Sequence, residues 1–117
     1  MKYADLIAKL EAATGPDKDI DLAIVRTFIS DGEAHLHEKY DLDSYRLTES
    51  IDAAIALAER LLPGAFVNIG TMIGGKLHHA EIECDETGVE VSVNNAPSVP
   101  IALLIATLKG HGASHDA

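Results

Sequence analysis

Apolar positions along the chain change period twice, from helical to alternating and back, and the order of those changes predicts the architecture. Tyr3, Leu6, Ile7, Leu10 and Ala13 fall at the i, i+3, i+4, i+7 spacing of an amphipathic helix. Gly15-Pro16 follows, with Gly expected to take the left-handed conformation that closes a helix and Pro unable to continue one. A second helix is expected to open near Asp17, because Asp17, Asp19 and Asp21 complement its positive end. Its apolar positions are Ile20, Ile24 and Phe28 with Leu22, Val25 and Ile29, and Asp31-Gly32 ends it. From Glu33 to Leu47 the periodicity is lost and charge dominates, which fits either a long loop or a short helix between turns. Thr48 reads as the N-cap of a third helix, with Ile51, Ala54, Ile55, Ala58 and Leu61 or Leu62 on one stripe before Pro63-Gly64 stops it.

Alternation then replaces the helical period. Val67, Ile69 and Ile73 share one parity, and Gly74-Gly75 is a two-residue turn able to adopt the positive φ of a tight hairpin. The return strand sets Ala80, Ile82 and Cys84 against His79, Glu81 and Glu83; a third strand sets Val89, Val91 and Val93 against Glu90, Ser92 and Asn94. This predicts an antiparallel meander with one apolar face and one polar, acidic face. A loop over Asn94-Asn95-Ala96-Pro97 is expected to lead to a closing helix capped by Ser98, with Pro100 in its first turn. Residues 101–108 are apolar on nearly every side, so this helix must be covered by its own domain or by a second copy. Lys109-Gly110 is expected to end it and His111 to begin a frayed tail. Helices, three strands and a final helix define an α+β domain, and 117 residues fit one such domain.

Charge narrows the functional classes. Nineteen acids against nine bases give a formal net charge of −10. Only Lys76 and Lys109 are basic after Arg60, so the clustered cations that neutralise phosphates are missing and direct nucleic-acid binding is disfavoured. With no Trp, three Tyr and two Phe, platforms for stacking bases are scarce as well. No apolar run reaches membrane-spanning length, and Met1-Lys2-Tyr3-Ala4-Asp5 has no apolar stretch followed by a cleavage site. Together with a single Cys, which forms no internal disulfide, this leads to the expectation of a cytoplasmic protein without membrane partners.

Certain blocks resemble a known family. Leu6-Ile7-Ala8-Lys9-Leu10-Glu11-Ala12-Ala13-Thr14-Gly15-Pro16-Asp17 followed by Ile20-Asp21 is similar to the opening signature of the phage ABA sandwich domain family. Thr48-Glu49-Ser50-Ile51-Asp52-Ala53-Ala54-Ile55-Ala56-Leu57 resembles the motif that family carries before its strands, and Ala96 to Lys109 resembles its closing helix. The resemblance implies an α/β/α sandwich from a bacteriophage or prophage in a bacterial host, with no established activity and therefore no catalytic, cofactor or metal residues to carry over.

Six His residues are the natural places to look for chemistry. His35 and His37 point the same way only on a strand, and their segment lacks β character. His78 and His79 are adjacent and face opposite sides. His79 shares a face with Glu81 and Glu83, a conceivable divalent-ion or acid/base cluster, against the simpler reading of a solvated or helix-covered polar surface. His111 and His115 have the spacing of a helical metal pair, but Gly110 and Gly112 are expected to break the helix. Cys84 reads as a buried small hydrophobe, with no Lys or Arg within seven positions to activate it. Ser50 and Ser98 are explained by capping, Gly70, Gly74 and Gly75 by a hairpin, and the pairs Asp19/Asp21 and Asp41/Asp43 are neighbours only in sequence.

No catalytic constellation stands out. The leading expectation is a non-enzymatic phage accessory protein working through protein contacts and forming a homo-oligomer, with a dimer as the commonest closed symmetry. One alternative is an acidic inhibitor that mimics DNA, motivated by Glu81, Glu83, Asp85, Glu86 and Glu90 at strand spacing; another is a small metal-dependent enzyme using His79, Glu81 and Glu83. An elongated negative stripe favours mimicry and evenly scattered acids dismiss it.

Overall fold

In a computed structural model of the chain, which describes residues 3–29, 46–71, 78–85 and 88–115, the closing helix is the centre of the fold. The order is α1 (Ala4–Ala12), α2 (Lys18–Ile29), α3 (Ile51–Leu61), β1 (Phe66–Thr71), β2 (His78–Cys84), β3 (Val89–Ala96) and α4 (Val99–His115). Four helices and an antiparallel sheet in the order β1-β2-β3 make an α+β fold with the helix layout the periodicity predicts. The layers run from the sheet to α4 and from α4 to the other helices: α4 lies on β3 and β2 and reaches β1 less, while α3 and α1 pack against α4 and α2 packs on α1.

Burial explains that order. Ile101, Leu103, Leu104, Ile105 and Leu108 point around the whole circumference of α4, and all are buried within this one chain. Each such side chain is worth about 1.5–3 kcal/mol when removed from water, so leaving any flank of α4 bare is costly. The sheet covers one flank and α1 and α3 cover another. No second copy is needed to shelter α4, which removes the reason the sequence offered for dimerisation through that helix.

The termini of the helices follow local chemistry, with some corrections. Asp17 caps α2, its Oδ1 accepting from the N–H of Asp19 at 2.9 Å and of Ile20 at 3.2 Å. Gly15 does not close α1 in a left-handed conformation; the helix ends on extended Ala13. Gly64 is left-handed after α3, at φ 80. The cap of α3 is Ser50 rather than Thr48, its Oγ accepting from Ala53 N–H at 3.2 Å. Ser98 caps α4 as expected, accepting from Ile101 N–H at 3.4 Å.

Two expectations at the C-terminal end give way to packing. Residues 94–96 are strand rather than loop, because β3 carries a bulge: His78 pairs with Ala96 and Ala80 with Val93, so Asn94 and Asn95 together face His79. Asn95 takes φ 65 there, a conformation Asn tolerates better than most residues, and Ala96 returns to the core. α4 also runs on through Gly110 and Gly112 to His115. Helical glycines cost about 1 kcal/mol each relative to Ala. Against this, His111 Nδ1 and Tyr3 OH are hydrogen-bonded at 2.8 Å, and His111 stacks on Tyr3 and meets Phe28 edge-on, with ring centroids 5.5 and 5.8 Å apart. Gly110 itself is buried where a Cβ would lie 3.1 Å from Leu62 and 3.3 Å from Val89. The glycine that looked like a helix stop is a close-packing site.

The strand ladder matches the predicted parity. Val67, Ile82 and Val91 line up on the apolar face, as do Ile69, Ala80 and Val93. The β1–β2 register, Thr71 opposite His78, is symmetric about the point between positions 74 and 75; the Gly74-Gly75 turn, Ile73, Asp31-Gly32 and the segment 33–45 lie outside the described residues.

Filling the close contact at α4 tests this packing. Gly110→Val is expected to destabilise the fold by about 1–3 kcal/mol in chemical denaturation, although Val here removes a helical glycine. Leu104→Ala is expected to cost about 2–5 kcal/mol.

Candidate functional site

The face of the sheet turned away from α4 carries most of the residues singled out for chemistry. Its rows run across the strands: Phe66, Glu83 and Glu90; then Asn68, Glu81 and Ser92; then Gly70 and His79, with Asn94 and Asn95 at the bulge. Phe66, Asn68, Glu83, Glu90, Ser92, Asn94 and Asn95 are exposed, so this face is open. Phe66 is 65% exposed, the most exposed large apolar side chain among the described residues.

His79, Glu81 and Glu83 share this face but do not converge. Residues on one side of a strand are about 6.6 Å apart, so His79 and Glu83 are separated by about twice that. The His79 imidazole lies across the ladder over Gly70, where a Cβ would come within 2.6 Å of its Cε1. No group of three potential metal ligands forms among the described residues. His78, on the other side, pairs its Nδ1 with Thr71 Oγ1 at 2.9 Å. His35, His37, Asp41 and Asp43 lie outside the described residues, as does the side chain of His115; His111 is engaged with Tyr3 and Phe28. Cys84 is buried, as its parity predicts.

The carboxylates form a compact group. Glu81 and Glu83 are neighbours along β2, and Glu83 and Glu90 stand directly opposite each other, a like-charge cross-strand pair that costs stability. Asp85, also exposed, follows directly at the end of β2, and Glu86 lies outside the described residues. The strands hold no Lys or Arg, whereas the helices interleave Asp5, Glu11, Asp19, Asp52 and Glu59 with Lys9, Lys18, Arg26, Arg60 and Lys109. Lys109 Nζ, for instance, lies 3.9 Å from Glu11.

Sequence reasoning missed Phe66. Its parity with Asn68 and Gly70, on the polar side of β1, was the available signal.

Asp19 and Asp21 part company in the structure. Asp19 is exposed, while Asp21 is 5% exposed and accepts the N–H of Thr48 at 2.8 Å. Thr48 is fully buried; its Oγ1 accepts from Asp17 N–H at 2.8 Å and donates to Asp17 O at 3.3 Å. Thr48 therefore fastens the entry of α3 to the start of α2, a structural clasp rather than a reactive pair. Burial raises the Asp21 carboxyl above its ordinary range, opposed by the Thr48 hydrogen bonds, with Asp17 and Glu49 adding to the rise.

Comparison with family models, with curated proteins and with solved structures yields no match for this chain.

The sign of the Asp21 effect is testable. A carboxyl whose folded pKa is raised holds its proton more tightly in the fold, so its ionised form costs stability above that pKa and the cost fades as pH falls through it. Asp21→Asn keeps an acceptor for Thr48 N–H. It is expected to melt higher than the parent at neutral pH, with the difference shrinking toward acid pH. Asp21→Ala is expected to lose about 1–3 kcal/mol, because a buried N–H loses its partner.

Proposed function

We propose that this is a non-enzymatic phage or prophage accessory protein, acting in the cytoplasm of a bacterial host through protein contacts, with the open face of the sheet as its contact surface. The observation that carries this reading is the division of charge: acids and bases alternate on the helices, while the open sheet face bears Glu81, Glu83 and Glu90 without a cation on any strand, beside an exposed Phe66. Such a face fits a partner segment bearing Lys or Arg. An incoming cation relieves the repulsion between Glu83 and Glu90, and a guanidinium can also stack on the neighbouring Phe66 ring. Complementary charge of this kind steers encounter and sets register. The blocks that resemble the phage ABA sandwich family support the source, and no helix of the described residues is long and apolar enough to cross a membrane.

The experiment is a paired capture from phage-infected or lysogenic cells, using the parent chain and Glu83→Gln/Glu90→Gln. A protein retained by the parent and depleted about tenfold or more with the variant supports this surface, a loss of about 1.4 kcal/mol or more. Equal recovery on both baits overturns it. The double variant is expected to fold at least as stably as the parent, since it removes a like-charge pair at exposed positions.

A further inference from the structure

We draw no further inference here: the strongest candidate, the edge of the sheet along β1 (Phe66–Thr71), which pairs on one side only among the described residues, carries nothing because nothing in the structure shows what covers it.

Discussion

Enclosing α4 is the requirement to which the other elements answer. Its core residues project in all directions, so it needs cover on opposite flanks, and a three-stranded sheet supplies only one of them. The remaining flank falls to α1 and α3, with α2 held in place by α1 and by the Thr48 clasp at its start. Removing a large side chain from α4 therefore disturbs sheet and helices together.

That arrangement also determines what is left for function. With α4 consuming the apolar face of the sheet, the opposite face is free to be polar, and its charge can be of one sign because it carries no packing duty. The helices do not have this freedom: their exposed stripes lie close to one another and mix acids with bases, as at Lys109 and Glu11. An exposed pair at this distance contributes little stability, so its effect is to neutralise the surface rather than to bind it together. On the strands nothing neutralises Glu83 and Glu90, and their repulsion is a standing cost within the fold. That cost sits at exposed positions beside an exposed aromatic ring, and under the proposed reading a cationic partner relieves it.

The sequence made the elements legible wherever a single period dominated. Leu6, Ile7 and Leu10, the alternation of β2 and the unbroken apolar run of α4 each predicted both element and buried face. It misled where a residue type has two uses. Gly110 and Gly112 read as helix breakers because propensity is local, whereas the contacts that outweigh it come from Leu62 and Val89 at Gly110 and from Tyr3 at His111 next to it, all distant in the chain. Thr48 read as a cap because Thr caps well, and its actual partners, Asp17 and Asp21, lie some thirty residues earlier. Asn94-Asn95 read as loop because a bulge is invisible until the opposing strand is in place. The candidate surface was half legible: parity placed His79, Glu81 and Glu83 on one face, but the pairing of Glu83 with both Phe66 and Glu90 depends on register, which parity alone does not fix.

Register is also where the edge and the face of the sheet become one problem. Phe66 opens β1, which pairs on one side only among the described residues, and is at the same time the aromatic member of the acidic row. The His79 imidazole covers Gly70 at one end of this face, whereas at the other end Phe66 and Glu83 stay exposed side by side. A carboxylate beside such a ring is less well hydrated, and an approaching guanidinium gives up less water to reach it. A polar residue at position 66 would leave the acids in place while removing the ring that stands beside Glu83.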